Sequence, residues 1–209
     1  MRNKKILITC GPTWVPIDQV RVISNRSTGQ MGHLLTKELL KAGAKVTLLE
    51  GPVTDFFVAK NATIKKFYFY DDLLKLLKTE LKKKVDIIIH AAAVSDYKPT
   101  KTYRRKLHSG LSKVNLVLVP TQKIIDIIRQ LTPAATLVGF KLEPESGTSA
   151  LRKKGIKLAH QADCDFVVAN TTAQNRYRAK IINAQGKILS SANSRKDLAR
   201  QLIKVLKDY

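Results

Sequence analysis

Residues 31–50 read MGHLLTKELLKAGAKVTLLE. Leucines recur at helical spacing over Met31–Ala42, and Gly43 stands where such a helix would end. The apolar run that follows, Lys45–Glu50, has the length and composition of a buried β-strand. A helix followed so closely by a strand is typical of the βαβ units from which parallel sheets are built.

The same alternation continues in both directions. Further strands are expected at Lys5–Thr9, Ile64–Tyr70, Val85–His90, Val114–Val119, Thr136–Phe140 and Phe166–Ala169. Further helices are expected at Asp71–Lys84, Thr121–Leu131 and Ser149–His160. Near the C-terminus, Arg178–Asn183 and Lys187–Ser190 predict a hairpin, and Ser194 begins a helix that runs to about Lys207. The sequence therefore predicts one α/β domain over residues 1–209, with a Rossmann-like parallel sheet, helices on both faces, and a C-terminal β-hairpin and helix.

The chain is strongly basic, since 38 Lys and Arg against 16 Asp and Glu give a formal net charge of +22. Such a charge suits nucleic acid or small polyanionic ligands. The lysines are scattered and aromatic residues make up only 6% of the chain, so the pattern does not favour a nucleic-acid-binding protein. With 44% hydrophobic residues the chain is not expected to be disordered.

Two further features bear on where the protein works. No apolar run approaches the ~20 residues that a membrane-spanning helix needs. Cys10 and Cys164 both lie in apolar runs, which predicts buried, reduced thiols. The sequence therefore predicts a cytoplasmic protein with no membrane segment.

Ligands of doubly wound sheets bind at the carboxyl ends of the strands. Four segments rich in small or polar residues are expected at that edge: Cys10–Gly32, His90–Pro99, Leu142–Gly147 and Asn170–Thr172. They are the candidate walls of a ligand site.

Residues 23–32 of the first segment read ISNRSTGQMG and lead into the first helix. Gly29 and Gly32 permit close backbone approach, while Ser27 and Thr28 suit a helix cap or a phosphate contact. A phosphate site and a plain capped helix both remain open. The spacing is neither that of the dinucleotide fingerprint nor that of a P-loop.

Asp18 and Arg21 precede that turn. An arginine is a bidentate ligand for phosphate or carboxylate, and Asp18 could orient it. A surface ion pair is the alternative interpretation.

Residues 90–97, HAAAVSDY, follow a buried strand directly. Three alanines would let a flat ring lie against the backbone, with Asp96 accepting from hydroxyl groups; close packing is the alternative for the alanines, and a packing role is favoured for His90. Tyr97 and Lys101 have the spacing of the short-chain dehydrogenase pair, but Pro99 forbids the helix that this pair requires.

Residues 98–112 are polar and basic, and they predict a flexible flap. Lys106 lies beside Arg104 and Arg105, so the loop could close over bound phosphates and exclude water. A solvated charge cluster is the alternative.

Taken in order, these motifs resemble phosphopantothenoylcysteine synthetase, also called phosphopantothenate–cysteine ligase, of coenzyme A biosynthesis. The resemblance is carried by residues 11–21 (GPTWVPIDQVR), 25–32 (NRSTGQMG), 91–99 (AAAVSDYKP), 139–143 (GFKLE) and 165–170 (DFVVAN). In many bacteria this domain is fused behind a flavin-dependent decarboxylase. Because the chain begins at its own first strand, the resemblance implies the standalone form with no flavin. It also implies a homodimer whose active site lies near the dimer contact.

The resemblance implies a two-step ligation. The carboxylate of 4′-phosphopantothenate attacks the α-phosphorus of CTP, or of ATP in some members, and pyrophosphate leaves. The amine of L-cysteine then attacks the acyl-nucleotide and releases the nucleoside monophosphate, with Mg²⁺ on the phosphates.

The implied site is assigned residue by residue. Asn25 and Lys106 are the expected catalytic residues. Substrate binding is expected at Arg21, Asn25, Ser27, Thr28 and Gly29. Nucleotide binding is expected at His90, Ala91, Ala92, Asp96, Lys106, Lys123, Ile124, Phe140 and Lys157. No metal ligands are assigned.

Two segments depart from the family pattern. The later lysines of its K-x-K-K flap are replaced by residues 107–109 (LHS), and its Pro-Asp-Ile nucleotide segment is residues 122–124 (QKI). The alternatives from other classes are an NAD(P)-dependent short-chain oxidoreductase and a nonenzymatic module that binds nucleotide or nucleic acid.

Overall fold

The computed structural model describes residues 1–55, 57–144, 147–173 and 176–209. Its strands, in chain order, are β1 (Lys5–Cys10), β2 (Trp14–Pro16), β3 (Val22–Ser24), β4 (Lys45–Glu50), β5 (Ala62–Lys66), β6 (Ile87–His90), β7 (Tyr97–Pro99), β8 (Leu118–Pro120), β9 (Thr136–Leu142), β10 (Phe166–Thr171), β11 (Arg178–Asn183) and β12 (Ile188–Ala192). Its helices are α1 (Gln30–Lys41), α2 (Tyr70–Glu80), α3 (Ile124–Leu131), α4 (Thr148–Gln161) and α5 (Arg195–Lys207).

Eight strands form the main sheet in the order β12-β11-β10-β9-β6-β1-β4-β5. The six from β5 to β10 are parallel, and their order reverses between β1 and β6, as in Rossmann-type folds. The C-terminal hairpin β11–β12 extends this sheet in antiparallel fashion. The predicted fold class is therefore confirmed.

The helices cover both faces of the sheet because each has one apolar side. Leu35 and Leu39 of α1 and Leu198 and Leu202 of α5 share one core with the alternate side chains of the strands. The opposite core is built from α2, α3 and α4, with Leu77 completely buried. At about 25 cal/mol per Å² of apolar surface removed from water, this burial is the main contribution to folding.

Several strand and helix boundaries differ from the sequence prediction. The strand predicted at Ile64–Tyr70 lies earlier, at Ala62–Lys66, and the helix predicted at Asp71–Lys84 ends at Glu80. The prediction of a strand at Val114–Val119 was wrong, because only Leu118–Pro120 forms a strand. That segment is not in the main sheet, and Val114 and Val117 are exposed rather than buried.

Two small sheets lie outside the main one. The β2–β3 hairpin and the antiparallel pair β7–β8 stand beside each other. Together with residues 100–117, which join β7 to β8, they form what we call the arm. Tyr97 is thus in an extended strand, and its spacing to Lys101 does not place the two side chains on a helical face.

Within the described ranges, no helix is both long enough and apolar enough to cross a membrane.

Candidate active site

An open cleft of about 930 Å³ lies at the carboxyl ends of β6, β9 and β10, where the strand order reverses. Its floor is formed by residues 90–94, directly after β6, and by Phe140 of β9. Helices α3 and α4 supply one wall, while residues 26–27, Met31 and Arg195 supply the other. The cleft therefore occupies the position at which the sequence predicted a ligand site.

The three alanines of the floor have their backbone amides committed to the fold. Ala91 N–H donates to the Thr9 carbonyl (3.1 Å), Ala92 N–H to Thr9 Oγ1 (3.2 Å) and Ala93 N–H to the Gly11 carbonyl (2.9 Å). A ligand lying on this floor consequently meets small side chains rather than free amides. This geometry suits a flat ring.

Asn25 does not line the cleft but ties its floor to the arm. Its Nδ2 donates to the carbonyl oxygens of both Ala93 and Val94, at 3.1 Å each. Both amide hydrogens are therefore engaged by backbone, and Oδ1 is the atom that remains for a ligand. Asn25 is exposed, so a substrate can reach it.

The turn before α1 uses glycine as its cap. Gly29 occupies the N-cap position with φ 69°, a left-handed conformation that favours glycine. Ser27 and Thr28, proposed as caps from the sequence, do not fill that position, although Thr28 Oγ1 accepts a 3.4 Å bond from Gln30 N–H. A Cβ on Gly32 would collide with the side chain of Cys10, so this glycine permits α1 to pack closely on β1.

Asp18 is a buried hub of the arm. Its Oδ1 accepts from the backbone N–H groups of Val20 and Arg21, at 2.8 and 2.7 Å, and its Oδ2 from Arg21 Nη1 (2.8 Å) and Leu107 N–H (3.0 Å). The bond from Leu107, together with those of Val20 and Arg21, lowers the pKa of Asp18 to about 2. Asp18 therefore orients Arg21, as expected, and also holds the flap.

Two further bonds attach the flap to the β2–β3 hairpin. Tyr103 N–H donates to the Ile17 carbonyl (2.9 Å), and Arg21 Nη1 reaches the Leu107 carbonyl (3.3 Å). Between these two attachment points, Lys106 is exposed and does not line the cleft. Closure of residues 98–112 over a bound ligand stays a prediction.

His90 lies at the end of β6, almost entirely buried, and lines the floor of the cleft. Its Nδ1 is 2.8 Å from Thr9 Oγ1. Burial lowers the pKa of His90 to about 4, so the imidazole is neutral at physiological pH. It serves the site as a neutral hydrogen-bonding group, in agreement with the packing role favoured from the sequence.

The wall formed by α3 and α4 carries mixed charge. Lys123, at the N-cap of α3, forms an ion pair with Asp96 at the rim of the floor. Glu143, after β9, is paired with Lys141 (3.2 Å) and Lys154, which lower its pKa. Two further charged residues line this wall, Asp126 of α3 and Lys157 of α4.

The structure brings most of the predicted site residues to the cleft. Those that line it are Ser27, His90, Ala91, Ala92, Asp96, Lys123, Ile124, Phe140 and Lys157. Those that do not are Arg21, Asn25, Thr28, Gly29 and Lys106. Arg21 and Lys106 lie on the arm, and the other three lie in the loop that connects the arm to α1. Residues 145 and 146 of the predicted segment Leu142–Gly147 lie outside the described residues.

The cleft residues that sequence reasoning missed include Arg26, Tyr177 and Arg195. Arg26 stands inside the motif at 25–32 but was passed over. The other two come from the C-terminal quarter of the chain, and no local pattern in the sequence links them to a site formed by residues 90–94.

The chemistry of the donor groups does not build a magnesium cage. Asp96 and Glu143 are both paired with lysines. In the part of the chain that the structure describes, one group of three metal-ligating side chains occurs, Cys10, His33 and Glu50, and it is buried beneath α1 rather than in the cleft. The described residues of the cleft therefore suit a divalent cation only where a ligand supplies most of the coordinating oxygens.

Fold and site together define an α/β protein of Rossmann type with a ligand cleft at the switch point of the sheet. The chain belongs to the family described as the DNA/pantothenate metabolism flavoprotein C-terminal domain, whose model matches residues 1–209.

Two similar curated proteins are bifunctional proteins of coenzyme A biosynthesis. The chain is 37% identical over 173 residues to the coenzyme A biosynthesis bifunctional protein CoaBC of Thermococcus kodakarensis, covering 82% of this chain and 42% of the relative. The CoaBC of Borreliella burgdorferi is 31% identical over 216 residues, covering 99% and 53%. The chain thus spans about half the length of these relatives. The crystal structure of the DNA/pantothenate metabolism flavoprotein from Streptococcus pneumoniae superposes with a TM-score of 0.87 at 26% identity, covering 99% of both chains.

Proposed function

We propose that the protein is a phosphopantothenate–cysteine ligase of coenzyme A biosynthesis. The observation that carries the proposal is the junction made by Asn25, whose amide joins the 25–32 motif to the 91–99 motif at the floor of the cleft. Both segments carry the resemblance to the ligase family. Membership of a family whose relatives are named for coenzyme A biosynthesis supports the same reaction.

The proposed reaction has two steps, formation of an acyl-nucleotide and formation of the amide. A carboxylate oxygen of 4′-phosphopantothenate bonds to the α-phosphorus of CTP or ATP, and the bond to pyrophosphate breaks. The cysteine amine then bonds to the acyl carbon, the nucleoside monophosphate leaves, and the amine gives up a proton. The first step is needed because a free carboxylate is a poor electrophile.

The residues of the cleft divide this work. The alanine floor and Phe140 hold the base and ribose, and Lys157 attracts the phosphates. Asn25 positions the acyl-nucleotide beside the floor, with Oδ1 available to the substrate. Arg21, oriented by Asp18, binds phosphopantothenate, and Lys106 neutralises charge that develops on the phosphates when the flap closes.

Magnesium would neutralise and orient the triphosphate oxygens. Around it, Lys157 and Lys106 supply positive charge from the protein, and the floor of the cleft covers one side of the ligand. The reaction as written needs no flavin, and we expect it to take place in the cytoplasm.

We propose further that the protein acts as a homodimer through its arm. The described part of the arm exposes a set of large apolar side chains: Val20, Val22, Tyr97, Leu111, Val114, Val117 and Leu118. Exposed apolar patches of this kind are typical of subunit contacts. Since Arg21 and Lys106 stand on the same arm, a partner at this surface would adjoin the site. Light scattering that gives a monomer under assay conditions would contradict the dimer.

The direct test supplies phosphopantothenate, L-cysteine and Mg²⁺ with CTP or ATP, and identifies the product by mass spectrometry. We expect phosphopantothenoylcysteine, with CTP preferred. Oxidation of NADH without any amide product would instead support an oxidoreductase.

A further inference from the structure

Two arginines stand on the wall of the cleft that lies at the start of α1 and of α5, which we call the α1/α5 wall. Arg26 and Arg195 both line the cleft there, beside Ser27, Met31 and Tyr177. The acidic residues that line the described part of the cleft, Asp96, Asp126 and Glu143, come from the rim of the floor, from α3 and from the end of β9. The α1/α5 wall is therefore positive and suits an anion.

Arg195 is held in place by an aromatic ring. Its guanidinium carbon lies 4.9 Å from the centroid of the Tyr177 ring. Tyr177 is half-buried and packs against the core shared by α1 and α5. Burial raises the pKa of Tyr177 to about 12, so the ring is a neutral platform at physiological pH. Stacking on such a ring holds the plane of a guanidinium while its N–H edge can still donate.

The position of Arg195 is not explained by helix stability. It is the first residue of α5, where the partial positive charge of the helix end disfavours a cation. The cap is made by its neighbours instead, since Ser194 Oγ accepts a 3.1 Å bond from Asp197 N–H. Arg195 forms no ion pair with any carboxylate among the described residues.

We propose that Arg195, stacked on Tyr177, binds a substrate phosphate on the α1/α5 wall of the cleft. The identity of that phosphate rests on the proposed function, in which both the nucleoside triphosphate and phosphopantothenate carry one. A guanidinium fork binds phosphate through paired N–H···O bonds, which an ammonium cannot reproduce.

The test is calorimetric titration of the full chain and of three variants, Arg195→Ala, Arg195→Lys and Lys196→Ala. The ligands are CTP, ATP, inorganic pyrophosphate, phosphopantothenate and, as a matched compound without phosphate, pantothenate. Lys196 is the control because it is the next residue of α5, is also exposed and does not line the cleft. Melting curves establish that each variant is folded.

We expect Arg195→Ala to weaken the binding of at least one phosphate ligand by about 10- to 100-fold, which is the effect of losing a charge-assisted hydrogen bond. Arg195→Lys should lose less affinity, and the affinities of Lys196→Ala should stay within about twofold of those of the wild type. A loss for CTP, ATP and pyrophosphate assigns the site to the triphosphate. A loss for phosphopantothenate but not pantothenate assigns it to the other substrate. Equal effects of Arg195→Ala and Lys196→Ala on every ligand would overturn the proposal.

The two proposals can fail separately. Pyrophosphate binding that depends on Arg195, in a protein that forms no amide product, would reject the ligase and keep the phosphate site. Normal ligation with unchanged KM values in Arg195→Ala would reject the phosphate site and keep the ligase.

Discussion

The backbone N–H of Leu107 donates to Oδ2 of Asp18 over 3.0 Å, across 89 residues of sequence. This bond ties the flap to the turn of the β2–β3 hairpin, directly beside Lys106. The same carboxylate orients Arg21. One buried aspartate therefore sets the position of two residues that the proposed reaction uses.

Asp18→Asn should loosen the flap. The amide would keep one acceptor oxygen but would turn N–H donors toward a cluster of backbone donors, leaving some of them unpaired. Residues 104–106 (RRK) are cleavage sites for trypsin, so we expect several-fold faster cleavage there than in the wild type. Asp208→Asn, a change of an exposed residue at the end of α5, is the control. Equal cleavage rates in all three proteins would show that Asp18 does not restrain the flap.

Asn25→Asp should damage ligation at least as much as Asn25→Ala. The aspartate would place a negative oxygen against the carbonyls of Ala93 and Val94, where the native amide donates twice. We expect the yield of ligated product to fall much more than nucleotide affinity, because in the proposed reaction Asn25 positions the acyl-nucleotide. Loss of nucleotide affinity with unchanged ligation at saturation would assign Asn25 a different role.

Lys106→Ala should fold and melt normally but turn over poorly. An exposed lysine contributes within roughly 0.5 kcal/mol to stability, whereas loss of a charge-stabilising contact in a closed site costs about 10²–10³ in rate. Arg104→Ala is the matched control in the same flap. If both variants lose activity equally, the flap acts only as a diffuse positive charge.

His90 makes the stability of the fold depend on pH. Its folded pKa is about 4, below the ordinary value of 6.5, so the folded state binds fewer protons than the unfolded state between these values. The contribution of His90 to the free energy of unfolding is therefore complete above about pH 6.5 and falls by about 3 kcal/mol as the pH falls to about 4. Denaturant unfolding at pH 7 and pH 4.5 should show a smaller decline in His90→Gln than in the wild type. Exposed His160→Gln is the control and should decline as the wild type does.

The sequence was sufficient for the fold because the strands that decide it are continuously apolar. Ile6, Leu48 and Ile89 are buried in the runs that predicted strands. Val114–Val119 misled because β-rich composition is the same for a core strand and for an exposed apolar surface. Composition alone therefore does not tell a buried strand from an exposed apolar segment.

The site was predictable where its residues are contiguous. The segments at 25–32 and 90–97 meet as expected. Residues 90–97 follow β6, and after the β2–β3 hairpin the chain returns to the end of the neighbouring strand β1, where Gly32 packs against Cys10. Arg195 and Tyr177 could not be found in this way, since their approach to the cleft depends on how the C-terminal hairpin extends the sheet. The role of Asp18 as a clamp on Leu107 was equally hidden, because a hydrogen bond to a backbone amide leaves no trace in residue identity.

The most direct test of the ligase proposal is pyrophosphate release measured before and after the addition of cysteine. With phosphopantothenate, Mg²⁺ and CTP or ATP alone, we expect a burst of pyrophosphate equal to the number of sites, because the acyl-nucleotide forms and waits. L-cysteine should then start continuous release, with one ligated product for each pyrophosphate. No pyrophosphate with either nucleotide, in a protein that is folded and binds both substrates, would contradict the proposed function.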